Sequence, residues 1–487
     1  MIQAAGWLNT QETLCEFERS LAHPEFRGVP LGSALAQLLL LGSGNRGADL
    51  SIRGNLKNWA RLFYYRLRLR RSPAADTTLC KGRVLVTWLG PNFRYRDLVF
   101  PVIERLGRDR CAVLYAHRGM ADLLPSGTLG FSAHWPMYFD GRQWRQDFGS
   151  FWREFKPVLK RTLRHFGLPS PCYAWLAAAV LTCTQTIAGY QTFLGRSEMA
   201  AVLTEYDRSD KWAPLVLSAK ALGIPTYTLM HGVTAENCLG YYPLLANTIF
   251  CWGSLWQEKF EAAGVDPARI LLGGCPRITA DLSMSPAEAR ALISLDPHRP
   301  VVVLATANYP GDCRLKLAEA FCRAVEGISS FSSFVRLHPA DRLHLYDDLA
   351  RRYPAVRFVP ADAYALEAVL AAADVVVVHS SSTGSDALVK GRLTVVLDVI
   401  DLPLGPGRDL VELAGCPRAT TWDELRSILP RMLEDSPERR KCEQMREEYV
   451  GKFCALYGDQ SARYIADRVL QDCPQSKATH SRQDRPR

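Results

Sequence analysis

Three of the chain's ten histidines fall at the ends of apolar runs: His231 after IPTYTLM, His338 after SFVRL and His379 after DVVVV. An imidazole with an ordinary pKa of about 6.5 suits a general base near neutral pH, or a donor to phosphate oxygens. His231 is followed by Gly232, which lets a ligand approach closely, and is the candidate for taking a proton from an acceptor hydroxyl. The other reading is a core histidine bonded to a carbonyl. His338 precedes Pro339, whose ring fixes the turn, so its imidazole could neutralise a leaving phosphate or merely cap that turn. After His379 come Ser380, Ser381, Ser382, Thr383 and Gly384, leading into helical spacing. Amides, hydroxyls and a helix dipole there could cradle a phosphate, whereas capping alone needs one hydroxyl. Asp386 inside that helix start either accepts from ribose hydroxyls or complements the dipole. Thr306 and Asn308, after VVVLA, complete the donor-side set. Glu205, Asp207 and Asp210 in TEYDRSD are the reserve bases, a solvated turn explaining at least one of them. Asn92, Arg94 and Arg96 follow RVLVTWLG and are candidates for acceptor contact, surface solvation being the arginines' other role. Arg336 and Arg277 could supply further positive charge.

Other chemistries lack their residues. No G-x-x-x-x-G-K-[ST] occurs, and no G-x-G-x-x-G follows a strand pattern. An Asp-x-Asp triplet and a metal-spaced histidine pair are also missing, so neither a cofactor nor a metal is expected. The fourteen cysteines are scattered without a C-x-x-C pair, which reads as reduced thiols in a cytosolic protein. The N-terminus has no basic segment leading into an apolar one, the pattern of a secretory signal. Hydrophobic residues at 48% and charged residues at 22% exclude general disorder and a polytopic membrane protein. A net charge of +9 favours anionic partners such as nucleotide phosphate, acidic lipid or acidic polysaccharide.

The elements that must position these side chains alternate. RVLVTWLG, RCAVLYAHRG, AAVLTEYD, IPTYTLM and ANTIFCWGS read as strands between helical patterns up to about Pro276. VVVLA, SFVRL, VRFVP, DVVVV and LTVVLDV repeat the scheme after Pro300. Two doubly wound parallel sheets follow, and ligands of such sheets sit beyond the carboxyl ends of the strands. The expected domains are a helical, basic, membrane-facing segment over 1–80, an acceptor domain over 81–276, a linker over 277–299, a donor domain over 300–440, C-terminal helices over 441–473 and a disordered tail over 474–487. Cys172–Leu194 has no formal charge and is long enough to span a bilayer, but its threonines and glutamines favour a buried or interfacial helix. Arg53–Ser72, with seven basic and no acidic residues, could lie on an anionic leaflet or cover the core.

LGIPTYTLMHGV with FCWGSLWQEKFEAAGV and ILLGGCPR, then VRLHP, HSSSTGSDALVKG and GDQSARYIADRVL, resemble the GT-B fold glycosyltransferases of bacterial capsule and surface polysaccharide synthesis. The HP and serine pair is similar to that of CMP-sugar sialyl-, polysialyl- and Kdo-transferases and of CDP-glycerol glycerophosphotransferases. The resemblance spans about Arg83 to Leu470. It implies two Rossmann-like domains facing a cleft, His338 with Ser381 and Ser382 on the donor phosphate, and His231 as base. The acidic Asp-x-Gly motif of many sialyltransferases is not evident, so sugar and base stay open. UDP-N-acetylglucosamine 2-epimerases share the fold and the HG turn, but their Thr-Glu-Arg-Pro-Glu segment is replaced here by LTVVLDVIDLPLG. The resemblance implies transfer of a sugar from a nucleotide donor, CMP-linked before UDP-linked, to a surface polysaccharide or glycolipid. The site would be peripheral at the cytoplasmic membrane face, with an anionic membrane surface as a further partner and no nucleic acid. An epimerase and a non-catalytic nucleotide-sugar-binding subunit are the rival readings.

Overall fold

The computed structural model describes residues 11–36, 78–90, 93–133, 140–168, 170–234, 238, 240–309 and 312–473. Arg53–Ser72, Asn92 and the tail 474–487 lie outside the described residues. Among those described, β1 (Val84–Trp88), β2 (Cys111–Tyr115), β3 (Leu129–Ser132), β4 (Ala201–Thr204), β5 (Thr226–Leu229), β6 (Thr248–Cys251) and β7 (Ile270–Leu272) form one parallel sheet in the order β3-β2-β1-β4-β5-β6-β7. A second sheet contains β8 (Val301–Ala305), β9 (Ser332–Arg336), β10 (Arg357–Val359), β11 (Val375–Val378), β12 (Leu393–Leu397) and β13 (Arg418–Ala419). Its order is β10-β9-β8-β11-β12-β13, again parallel. Central parallel strands are covered by helices on both faces, so they read as unbroken apolar runs; VLVTW, VVVLA and VVVV are buried throughout. Each sheet reverses its winding once, between β1 and β4 and between β8 and β11, and ligand crevices open at such points.

The first lobe carries α1 (Gln11–Ser20), α2 (Phe93–Leu106), α3 (Gly141–His165), α4 (Ser170–Ser197), α5 (Ala213–Ala221) and α6 (Ser254–Ala262). The second carries α7 (Pro286–Leu292), α8 (Cys313–Val325), α9 (Asp347–Arg352), α10 (Leu366–Ala372), α11 (Thr383–Val389), α12 (Pro406–Glu412) and α13 (Trp422–Leu433), followed by α14 (Pro437–Phe453) and α15 (Gly458–Gln471). The stretch 277–299 is more than a linker. Ser285 and Glu288 form a reciprocal capping box with Pro286 at the first helical position, and α7 packs on α10.

Residues 11–36 join α3 and α4 in a separate apolar cluster of Phe17, Phe26, Phe155, Leu159 and Ile187. Glu18 of α1 pairs with fully buried Arg208, tying this cluster to the end of β4. α4 is long and apolar enough to cross a membrane, and half of that stretch is buried here. Thr182, Thr186 and Thr192 of this helix donate to carbonyls one turn back, and Gln191 donates to the Arg27 carbonyl at 3.0 Å.

The chain finally crosses back, placing α15 against α2. The Cys275 amide donates to the Leu456 carbonyl at 2.9 Å, and Ser461 Oγ to the Gly273 carbonyl at 2.6 Å. Gly274, at φ 71°, lies where a Cβ would collide with the Leu456 carbonyl, so this crossing requires glycine. Lys259 of α6 and Asp409 of α12 pair across the lobes at 2.6 Å.

Candidate functional site

A cleft of about 590 Å³ lies between the lobes. Arg96 and Asp97 of α2 line one side, Arg277 and Thr279 the crossing, and Arg336, His338, Pro339, Asp386 and Lys390 the other. Because β8, β9 and β11 run parallel, their following residues emerge at one edge of the sheet. Thr306 and the HP turn thereby become neighbours. The His338 amide donates to Thr306 Oγ1 at 2.8 Å, and Thr306 Oγ1 lies 3.2 Å from Asp341 Oδ2. Asp341 is paired with Arg314 and accepts from Tyr346 Oη at 3.0 Å. Burial and the Asp341 carboxylate push the Tyr346 phenol up, so it remains a donor. This network holds the turn rigid. His338 Nδ1 accepts the Ala340 amide at 3.1 Å, so in the neutral ring the proton sits on Nε2.

Arg336 ends β9 and is buried, 9% exposed. One terminal nitrogen donates to the Ala361 carbonyl at 3.3 Å, while Nε has no partner among the described residues. No carboxylate among those residues comes within ion-pair distance of it. Burial lowers its pKa, but a guanidinium keeps its proton at any physiological pH. The cleft therefore contains an unneutralised buried cation. Arg277 lies 3.6 Å from Asp386 and over the Trp252 ring, yet Arg277 Nε and Asp386 Oδ1 have no hydrogen-bond partner among the described residues. Lys390 is committed to Thr279 Oγ1, the Asp281 carbonyl and Glu367.

The serine run lies beside, rather than along, this lining. Ser380 N and Oγ both reach Tyr309 Oη, at 3.1 and 3.5 Å. Ser381 Oγ donates to Thr383 Oγ1 at 3.1 Å and accepts the Thr383 amide at 3.3 Å, a local cap of the short α11. Ser382 is half-buried at the helix start, Asn308 is exposed in the loop after β8, and His379 is fully buried with Nδ1 3.2 Å from the Leu397 carbonyl. Arg96 is exposed and bonds Asp97 at 2.8 Å, and Arg94 falls in the first turn of α2.

In the first lobe His231 is half-buried among three tyrosine rings, with centroid separations of 4.6 Å to Tyr206, 5.0 Å to Tyr241 and 5.8 Å to Tyr95. Tyr241 Oη accepts the amides of His231 and Gly232 at 3.0 and 2.9 Å and lies 3.1 Å from His231 Nδ1. Such a turn orients the ring through Nδ1. His231 is not part of the cleft lining described above.

Glu205 and Asp207 are turned inward. Glu205 is fully buried and accepts from the Thr87 hydroxyl, the Leu89 amide and the Trp212 indole. Asp207 accepts the amides of Leu245 and Ala246, both at 2.9 Å, while Asp210 is exposed. The expectation of Glu205 and Asp207 as acids facing an acceptor gives way to struts that fix the ends of β1, β4 and β6. Burial pushes both carboxyls up against the pull of their donors.

A raised carboxyl binds its proton more tightly in the folded state. Its stabilising contribution is present below the ordinary carboxyl range and is lost as pH rises through the folded value. Glu205→Gln, whose amide can donate to Thr87 and accept from Leu89 and Trp212, is expected to melt at or above the wild type near neutral pH and to remove that pH dependence. Glu205→Ala, leaving buried donors and a void, is expected to cost about 3 kcal/mol. Thermal denaturation between about pH 4 and about pH 8 checks both, and a Gln variant far less stable than wild type would show that the charge itself is needed.

All fourteen cysteines are free thiols, and no group of three His, Cys, Asp or Glu able to hold a metal occurs among the described residues.

No family model matches the chain, and no curated protein sequence matches it. Solved structures do. A structure of the wall teichoic acid polymerase TagF with CDPG matches with a TM-score of 0.51 at 13% identity, over 87% of this chain and 97% of that one. A UDP-N-acetylglucosamine 2-epimerase matches with 0.51 at 14%, over 84% and 98%. The calicheamicin glycosyltransferase CalG4 matches with 0.50 at 13%, over 80% and 98%. At such identities the likeness is one of fold, and the two parallel Rossmann-like sheets place this chain in the GT-B fold.

Proposed function

We propose that this protein is a glycosyltransferase that moves a sugar from a nucleotide-sugar donor, CMP-linked before UDP-linked, to a surface polysaccharide or glycolipid at the cytoplasmic face of the membrane. The observation that carries the reading is Arg336, a buried cation without a carboxylate partner, beside His338 in a cleft lined by both lobes. Such a pair suits an anionic leaving group. In the transfer, the acceptor oxygen forms a bond to the anomeric carbon as the carbon–oxygen bond to the nucleotide phosphate breaks. The phosphate leaves with the electron pair and is met by the Arg336 guanidinium and the His338 Nε2 proton. The acceptor proton passes to a base, for which His231, oriented by Tyr241, is the candidate. Asp386, a cleft residue whose Oδ1 has no hydrogen-bond partner among the described residues, is the candidate to accept from ribose.

The epimerase remains the second reading because its fold likeness equals that of TagF. Thermal shifts with CMP, CDP, UDP, GDP and ADP test the site: a ligand at about a hundredfold its Kd should add about 2.7 kcal/mol of stability. No shift with any nucleotide refutes the reading. Incubation with UDP-N-acetylhexosamine and no acceptor then separates the enzymes, since an epimerase interconverts the free donor and a transferase at most hydrolyses it.

A further inference from the structure

α3 lies outside both sheets, and its two faces are unlike. Trp144, Phe151, Phe155, Leu159 and Leu163 are buried in the helical cluster with α1 and α4. Opposite them Arg142, Arg145, Arg153, Lys156, Lys160 and Arg164 are all exposed. At about 100° per residue these six project within roughly 100° of one another, a single row about 33 Å long. Acidic neighbours offset little of it: Asp140, the N-cap residue, interacts electrostatically with Arg142 at one end of the row and accepts the Arg142 and Gln143 amides. Asp147, at the side of the helix, is held by Arg27, with Nε 2.7 Å from Oδ2, and Glu154 projects away from the row. Among the described residues, Arg145, Arg153 and Arg164 bond only backbone carbonyls of the preceding turn, and Lys160 lies over the Tyr173 ring. Among the described residues, none of the six has a carboxylate within ion-pair distance.

We propose that this outer face of α3 docks the protein on a bilayer surface rich in anionic lipid headgroups. A straight row on a convex helix offers no groove to hold a polymer, and Tyr173, the ring beside it, has Lys160 over it, but the row matches a charged plane. Six guanidinium and ammonium groups meet lipid phosphates together, and their effects accumulate within a Debye length of the surface. With the apolar face already used inside the protein, attachment is electrostatic and reversible by salt. The docking reading supplies a partner for the membrane-facing transferase proposed above, but vesicle binding is measured without nucleotide or acceptor, so either can fail alone.

The test uses the full chain and vesicles of phosphatidylcholine with or without about one third phosphatidylglycerol, by cosedimentation. The protein should partition to the anionic vesicles in low salt, lose that binding in high salt and ignore the neutral ones. Arg153→Gln, Lys156→Gln, Lys160→Gln and Arg164→Gln together should lower the partition coefficient about tenfold or more, with an unchanged melting temperature and unchanged nucleotide-induced shift. Amide exchange over 141–165 should slow when anionic vesicles are added. Equal binding by the fourfold variant, attachment through the Arg53–Ser72 run included, would overturn the proposal. So would indifference of the wild type to lipid charge, or retention on an acidic polysaccharide or nucleic acid matrix without vesicle binding.

Discussion

Arg336→Met is expected to weaken binding of the preferred nucleotide by roughly thirtyfold, about 2 kcal/mol, while leaving the unliganded protein as stable as wild type or more so. The opposite signs follow from one fact. Without ligand the guanidinium is taken out of water with one long hydrogen bond to the Ala361 carbonyl and an unpartnered Nε, so its charge costs folding energy that methionine does not. With a phosphate in the cleft it gains charge-assisted hydrogen bonds that methionine cannot make. Its position is set by the sheet, where Arg336 pairs with Ala305 on one side and Val359 on the other. Calorimetric titration and thermal denaturation of the same variant read both effects. An affinity within about twofold of wild type would remove Arg336 from the ligand site. Arg336→Lys keeps a charge but not the planar fork, and should recover part of the affinity.

His338→Ala is expected to lower kcat/KM by roughly a hundredfold to a thousandfold, the loss that follows removal of one preorganised donor to a developing anion. Its effect on nucleotide affinity and folding should be small. The main chain at His338 is held through the Thr306 hydroxyl, and the ring accepts the Ala340 amide. His338→Gln, with a donor of comparable reach, should restore part of the rate. Turnover is measured with the donor that the nucleotide panel selects, and near-normal kcat/KM in the alanine variant would assign the HP turn a purely structural role.

The strands were legible because burial on both faces of a parallel sheet demands uninterrupted apolar residues, and VVVLA, VVVV and LTVVL have no other use. Two lobes followed from that pattern, and His338 and Asp386 line one cleft between them. The serine run was harder to read. Its hydroxyls look available in sequence, but Tyr309, 71 residues upstream, approaches Ser380, and Ser381 turns to its own neighbour Thr383. Tyr241 at His231 and Asp341 beneath the HP turn carry no sequence signal beyond lying ten and three residues downstream.

What this sequence determined alone was whatever depends on near neighbours: apolar periodicity and the fixed turn at His338–Pro339. Whether a polar side chain meets water, a backbone amide or nothing depends on residues far along the chain. Glu205 became a strut because Thr87, 118 residues away, and Leu89 reach it in the buried space between β1 and β4. Arg336 is an unneutralised buried cation because no described carboxylate was brought beside it. Only the packing of the lobes makes those assignments, since desolvation and pairing are properties of the three-dimensional surroundings.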